Sequence, residues 1–490
     1  MNDLNLEQKR PWLMSLEELV AASEGRIRAQ FERVFSGVGT DTRADLSGKI
    51  FVALKGENFD AHDFLPKAVE NGASALLIHR LPEEARDLLN QVTVIEVDDT
   101  LISFQMLAGF WRHKMRAKIL ALTGSNGKTT TKEFAATLIG SRLKVHSSKG
   151  SFNNHWGVPM SLLGIESDDQ VAIIEMGMNH IGELKELSLI AEPDVVLVTM
   201  VGRGHLEGLG SIENVAKAKA EIYESASPRA TFCFNLENTY TRQMYERFAP
   251  NLPKEQVLTF ATAAELAGGI NIDVSLQVVE GFQDEKSMRI GGIIRGVRGE
   301  ATVPVFGAHN ITNLMAAAVL ALAAGLSAED IWSAFPLCET VWGRNQWVNL
   351  ASGAKVLFDG YNANPESMLA ALKNFAQLPH RGRKFAVLGE MKEMGEQTKA
   401  LHRELGEQVA KSGFDEVCFF GVSGVEFAAG LKAGGFSKNP YISTSYEQSL
   451  ALRMLPVLEV GDLVLMKGSR GMHLEKALLD LKPIDFQGKK

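Results

Sequence analysis

Lys118-Ile-Leu-Ala-Leu-Thr-Gly-Ser-Asn-Gly-Lys-Thr-Thr-Thr131 is the stretch whose reading decides the fold. Its apolar start, Lys118 to Leu122, suits a short buried strand, and Thr130 to Leu143 reads as a helix with Phe134 and Leu138 on one face. Between strand and helix, Gly124 and Gly127 permit a tight turn that leaves loop N–H groups bare. Those groups and the helix N-terminus attract phosphate oxygens. In such a cradle Gly124, Ser125, Asn126, Gly127 and Thr130 surround a nucleoside triphosphate, Lys128 reaches its β- and γ-phosphates, and Thr129 ligates Mg²⁺. The common loop has four residues between its first glycine and Gly-Lys. Here only Ser125 and Asn126 intervene, so this is a shortened variant.

Working outward, the 490 residues suggest three domains at roughly 150 residues each. Apolar residues make up 45% and charged residues 22% of the chain, as in ordinary soluble proteins. A net charge of −8 argues against a bulk grip on nucleic acid or anionic membrane, so positive charge for a phosphorylated substrate must be placed locally. Cys233, Cys338 and Cys418 are far apart without a CxxC, which argues against disulfides and zinc and fits a reducing cytoplasm. Met1 to Glu7 lacks the basic and apolar regions of a signal peptide. The longest apolar run, Leu314 to Leu326, is too short to span a bilayer and reads as a core helix. A cytoplasmic monomer without membrane insertion is expected.

Residues 1 to about 115 alternate helix and strand. Ser15 with Glu18 forms a capping box for a helix over Leu16 to Ala22. Strands are expected across Gly48 to Gly56, Ala75 to Ile78 and Thr93 to Val97, with a helix after Asp60 that buries Leu65, Ala68 and Val69. Asp41-Thr42-Arg43 suits a polar ligand such as a base or diphosphate, or is a solvated turn.

Chemistry collects between about 116 and 335. Glu175 ends the apolar strand Val171 to Glu175, where ligand crevices of parallel sheets open, and is a candidate Mg²⁺ ligand. Val195 to Thr199 repeats the layout and delivers His205, a second metal ligand or an ordinary loop histidine. A helix from Ile212 to Glu224, capped by Ser211, puts Val215, Lys219 and Ile222 on one face and Lys217 nearly opposite. A lysine on an apolar stripe must be paired, lose its proton, or snorkel to water. A neutral amine there could take up CO₂ as a carbamate, an anionic metal ligand. The polar loop Ser148 to Pro159, with Asn153 and Asn154, faces the transferring phosphate or the acceptor, or is a long surface loop. Asn310 and Asn313 share one side of a helical turn, suited to a purine edge, with N-capping by Asn310 as the alternative.

From about 336 the α/β pattern restarts. Arg344 follows Gly343 in a turn. Lys355 to Asp359 is a strand ending in a carboxylate, followed by Tyr361 and Asn362. Helix is expected from Ser367, and strands across Lys384 to Met391, Glu416 to Phe420 and, with its exit, Asp462 to Arg470. Lys467 and Arg470 form a local positive site for carboxylate or phosphate, or a charged loop.

Eight segments carry a resemblance. They are Thr123-Gly-Ser-Asn-Gly-Lys-Thr-Thr-Thr131, Phe152-Asn-Asn-His-Trp-Gly-Val-Pro159, Glu175-Met-Gly-Met178, His205-Leu-Glu-Gly208, Ala216-Lys-Ala-Lys-Ala-Glu-Ile222, His309-Asn-Ile-Thr-Asn313, Tyr361-Asn-Ala-Asn-Pro365 and Lys467-Gly-Ser-Arg470. In this order they resemble the Mur ligase family of ATP-dependent amide-forming enzymes of peptidoglycan synthesis, over nearly the whole chain. The short phosphate loop matches the family form.

The resemblance implies an α/β fold of three domains. A smaller one over 1–115 holds the UDP-substrate, and a central one over 116–335 binds ATP on a mostly parallel sheet flanked by helices. A Rossmann-like one over 336–490 closes over ATP and binds the incoming amine. It implies ATP and Mg²⁺, with Lys128 and Thr129 on ATP, Glu175, His205 and carbamylated Lys219 on metal, and Lys128, His205 and Lys219 in catalysis. Asn310 and Asn313 would meet adenine, and Arg344 and Asp359 the nucleotide. Thr42 and Arg43 would lie near the uridine, and Asn153, Asn154, Tyr361, Asn362, Lys467 and Arg470 toward substrates. Relatives often read Asp-Asp-Tyr where this chain has Asp359-Gly360-Tyr361. The Asp-Asn-Pro-Arg stretch of relatives that add a third amino acid is absent. Taken over the eight segments, the resemblance looks closest to the member joining D-Ala-D-Ala to UDP-MurNAc-tripeptide through an acyl phosphate. A related ligase for another amino acid, of third-residue or folylpolyglutamate type, and a P-loop ATPase switch are the rivals.

Overall fold

Sheets of five, nine and six strands carry the fold, beside a short ladder of Met14–Ser15 with Val34–Phe35. They are seen in a computed structural model that describes residues 12–263, 269–283, 286–446, 453–454 and 456–486. The reading of Met1 to Glu7 falls outside those residues.

The first sheet runs Arg26–Ala29, Thr93–Glu96, Ala75–Ile78, Ile50–Val52, Val38–Gly39, and only its first pair is antiparallel. Ala75–Ile78 is buried throughout, as a parallel strand covered on both faces must be. The strand expected across Gly48 to Gly56 is confined to Ile50–Val52. Ser15 and Glu18 close the capping box of Leu16–Ser23. Leu65 and Ala68 are buried in Leu65–Glu70, while Val69 is only half-buried.

The second sheet orders its strands Val297–Val303, Met288–Ile294, Val274–Gln283, Val257–Phe260, Thr231–Asn235, Val195–Val198, Lys118–Thr123, Val171–Glu175, Val145–Ser147. The last seven of these pair in parallel. The three strands from Val274 to Val303 pair antiparallel with one another, an edge that the α/β alternation does not predict. After Lys118–Thr123 the chain builds two strands on one side and then crosses to Val195–Val198 on the other. Lys118–Thr123 therefore stands where strand order reverses, and open α/β sheets bind ligands beyond the carboxyl ends at that point.

The third sheet runs Gln346–Asn349, Lys355–Asp359, Leu463–Lys467, Lys384–Gly389, Glu416–Phe420, Tyr441–Ser443, antiparallel only at its first pair. Its helix Pro365–Ala376 begins two residues before Ser367, because Asn364 caps it and a proline suits the first helical position.

The helix Thr100–Lys114 joins the first sheet to the second: its buried Trp111 donates to Ile165 O at 3.0 Å and stacks 4.2 Å from Trp12. Asn310–Ala324 is the expected core helix. Among the described residues no helix is long and apolar enough to cross a membrane. The three cysteines are buried and free.

Candidate active site

The phosphate loop is moulded by the end of the neighbouring strand. A Cβ on Gly124 would stand 1.9 Å from Thr199 Oγ1, and one on Gly127, whose φ is +83°, would stand 2.3 Å from Asn313 Oδ1. The Thr199 hydroxyl donates to Asn126 O at 2.6 Å, and the Ser125 hydroxyl donates to Gly202 O at 3.0 Å. Ser125 N–H also donates to Met200 O at 2.9 Å, so this loop amide is committed within the protein rather than bare. The helix starts at Lys128, not Thr130, directly after left-handed Gly127, and ends at Gly140. Thr129 and Thr130 thus lie in its first turn, where N–H groups lack intrahelical partners. Lys128 Nζ curls back to donate to Gly124 O at 2.7 Å. Burial pushes its pKa down, and Glu175 and Glu393 oppose that shift.

Glu175 closes the adjacent strand in register with Leu122. It is buried, and its Oε1 accepts from Asn153 Nδ2 at 2.8 Å. Its Oε2 is buried without a hydrogen-bond partner. Leaving such an oxygen unpaired costs about 1–3 kcal/mol or more, so the site is built to receive a positive group there. Asn153 is delivered by a loop that Lys132 anchors: this fully buried lysine donates to Ser148 O at 2.5 Å and Gly150 O at 2.7 Å. Asn154 Oδ1 accepts from the N–H groups of Trp156 and Gly157 at 3.2 and 2.9 Å, tying down the start of the helix Gly157–Leu163.

Ile212–Glu224 is helical with Ser211 as its cap. Val215, Lys219 and Ile222 are buried and Lys217 is exposed. No carboxylate pairs with Lys219 among the described residues. Burial, then the nearby Lys128, hold its pKa well below the ordinary lysine range. His205 precedes the short helix Leu206–Leu209 with φ of +58°. Its Nδ1 stands 2.8 Å from Glu393 Oε2, which arrives from the third sheet. Burial lowers the His205 pKa, and Glu393 opposes the shift.

The third sheet meets the loop directly. Asn126 and Asn364 exchange side-chain hydrogen bonds of 3.1 and 2.9 Å. Arg344 donates to Thr129 Oγ1 at 3.4 Å and lies 4.3 Å over the Tyr361 ring, whose hydroxyl bonds Ser151 Oγ. Asp359 and Lys467, facing one another in register, form a buried pair at 2.5 Å. Lys467 also donates to Asn362 O at 3.0 Å, and Asn362 Oδ1 accepts from Ala363 N–H. A cavity of about 340 Å³ opens here, lined among others by Asn126, Asn310, Asn313, Arg344, Asp359 and Lys467.

Asn310 is not the helix cap. It is the first helical residue, donating to Phe306 O at 2.8 Å and accepting from Asn313 Nδ2 at 2.9 Å. Three predicted residues stand apart from the cluster. Arg470 lies 2.8 Å from Glu475 and 5.3 Å over the Trp342 ring. Arg43 is exposed and folded onto Asp41, while Thr42 O accepts from Asn71. Sequence reasoning passed over Lys132, Asn364, Glu393 and the Arg203–Glu366 pair at 2.9 Å. Only Asn364, a capping residue ahead of Pro365, carried a local signal.

Residues 122–321 match the Mur ligase middle domain, and residues 343–470 match the Mur ligase glutamate ligase domain. The chain belongs to the Mur ligase family. Its relatives include the UDP-N-acetylmuramoyl-tripeptide–D-alanyl-D-alanine ligase of Bacillus subtilis (strain 168), 33% identical over 92% of this chain and 94% of its own length. MurF from Acinetobacter baumannii superposes with a TM-score of 0.83 at 28% identity, covering 96% of this chain and 99% of its own. The MurF ligase of Thermotoga maritima, solved in complex with ADP, has a TM-score of 0.74 at 26% identity and covers 91% of this chain and 96% of its own.

Proposed function

We propose that the chain joins D-alanyl-D-alanine to UDP-N-acetylmuramoyl-tripeptide at the expense of ATP. A terminal carboxylate oxygen of the tripeptide attacks the γ-phosphorus, and the bond to ADP breaks. The dipeptide amine then attacks the acyl carbon, the carbon–oxygen bond to phosphate breaks, and the amine sheds its proton. The observation that carries this reading is a convergence. The phosphate loop, a buried unpartnered carboxylate oxygen on Glu175 and the buried amine of Lys219 meet at strand ends that the third sheet covers. The B. subtilis relative and the ADP-bound neighbour support it.

Lys128 and the helix N-terminus offset charge that builds on the phosphoryl oxygens. Asn126, Asn310, Asn313, Arg344 and Asp359 border the nucleotide cavity, with Gly124, Ser125, Gly127 and Thr130 around the phosphates. The donor set fits Mg²⁺. Thr129, Glu175 and His205 offer hydroxyl, carboxylate and imidazole, and Lys219 adds an anion once its amine nitrogen has bonded CO₂ and lost a proton. When bound, the cation neutralises developing phosphoryl charge. Asn153 holds Glu175 in place. Tyr361 and Asn362 border the acceptor side with Asn154, Lys467 and Arg470, and Thr42 and Arg43 the uridine. Domains over 1–115, 116–335 and 336–490 follow the three sheets, and the protein works as a cytoplasmic monomer. The covering third domain keeps water from the acyl phosphate.

The test is isotopic. Tripeptide labelled with ¹⁸O in its terminal carboxylate delivers one ¹⁸O to the released phosphate if the acyl phosphate forms. Unlabelled phosphate contradicts the mechanism.

A further inference from the structure

Arg203 lies on the loop that follows the strand Val195–Val198, and the phosphate loop holds that loop in place. The Ser125 hydroxyl accepts from Gly202 N–H at 2.9 Å and donates to Gly202 O at 3.0 Å. From this mount Arg203 reaches two helices of the third-sheet unit. Its backbone N–H donates to Glu366 Oε2 at 3.0 Å and its Nε donates to Glu366 Oε1 at 2.9 Å, so main chain and side chain grip one carboxylate together. Its Nη1 donates to Glu404 Oε2 at 3.2 Å, on the helix Thr398–Ala410. Position 202 leaves little room for a side chain, since a Cβ there would stand 3.0 Å from Glu366 Oε2. Glu366 sits in the first turn of Pro365–Ala376, where the helix dipole favours a negative charge, and it lines the nucleotide cavity. Its charge therefore borders the nucleotide, and Arg203 offsets it. The three side chains are 28–43% exposed, so each pair is modest in strength and open to screening by salt. Such pairs hold a docked unit without locking it.

We infer that Arg203 is a positioning residue for the nucleotide site: by clasping Glu366 and Glu404 it seats the third-sheet unit over the phosphate loop, and it neutralises a carboxylate that would otherwise repel the triphosphate. The inference rests on ATP binding between the two units, as proposed above. Because Ser125 of the phosphate loop carries the mount, nucleotide affinity and docking are linked through it, and the linkage is reciprocal.

The experiment titrates a fluorescent ATP analogue into the full-length protein, with Arg203→Ala, Glu404→Gln and the double variant Arg203→Ala/Glu366→Gln in parallel. Small-angle scattering of the analogue-bound samples reports docking. Arg203→Ala is expected to weaken binding about tenfold, and Glu404→Gln, on a half-exposed helix face where the core is untouched, about threefold. Both should leave the bound particle more expanded than wild type. The double variant should bind no more weakly than Arg203→Ala, because no unpaired carboxylate then borders the triphosphate. Two independent structural losses would instead add. Wild-type affinity in Arg203→Ala and Glu404→Gln, or a double variant weaker than Arg203→Ala, overturns the inference and leaves the cavity an ATP site. No binding of the analogue by the wild type overturns both.

Discussion

Asn126 of the phosphate loop and Asn364 of the third-sheet unit face one another amide to amide, each donating to the other at 3.1 and 2.9 Å. The same Asn364 oxygen accepts from Ser367 N–H at 3.0 Å and starts the helix Pro365–Ala376. One side chain thus caps a helix and ties that helix to the nucleotide site.

These two duties separate by substitution. Asn364→Ala loses both, so it is expected to lower stability by about 1 kcal/mol and to raise the KM for ATP. Asn364→Asp keeps the cap, loses the donor to Asn126 and sets a negative charge beside the phosphates. Calorimetry should return its Tm close to wild type, with the higher KM of the two variants. A wild-type KM in Asn364→Asp would show the contact to be idle.

Two glycines of one strand–loop–helix unit should respond in opposite directions. Gly124→Ala drives a methyl to 1.9 Å from Thr199 Oγ1 and should abolish nucleotide binding. Gly140 has open space around its Cβ position at the end of the helix Lys128–Gly140. Gly140→Ala should leave binding intact and add up to about 1 kcal/mol of stability. A fluorescent ATP analogue and thermal melts read both.

His309 supplies a pH dependence. The amides of Asn345 and Asn374 stand 3.1 and 2.7 Å from its two ring nitrogens. Both contacting atoms are Nδ2 donors, and a neutral ring can accept from one of them, which an imidazolium cannot. Burial pulls its pKa from 6.5 to about 4. The sign follows: below pH 6.5 the unfolded chain takes up a proton that the folded one refuses, so stability falls with pH and levels off below about 4. Between pH 7 and 5 the wild type should lose about 2 kcal/mol more than His309→Gln. Parallel urea-unfolding curves for the two proteins would remove this account.

How much of this was legible depends on whether the information is local. Ser211 and the 3.6-residue period suffice for Ile212–Glu224, and with them for burying Lys219 rather than Lys217. The strand, glycines and lysine of 118–131 are equally local. The edge Val274–Val303 is not. Gly291, Gly292 and Gly299 interrupt its alternation, and its strands are recognisable mainly by pairing with one another. Asp359 and Lys467 each read as strand-end charges. Their ion pair depends on Lys355–Asp359 and Leu463–Lys467 being neighbours, which nothing in either segment reveals. Glu393 escaped for the same reason, since its partner His205 lies in another unit.

Lys219 offers a test of the buried amine itself. Lys219→Ala should cut turnover by about 10²-fold or more, and short carboxylic acids should restore part of it. In wild type under ¹³CO₂, a carbamate carbon resonance should appear that Lys219→Ala lacks. Full activity in the variant would remove the carbamate from the account.

The central claim, that the third domain presents a dipeptide amine to an activated tripeptide carboxyl, is tested most directly by phosphate release with a panel of acceptors. Purified protein, ATP and UDP-MurNAc-tripeptide should release phosphate with D-Ala-D-Ala and stay silent with single amino acids or with no acceptor. Comparable release with a single amino acid, or steady ATP hydrolysis with none, would contradict it.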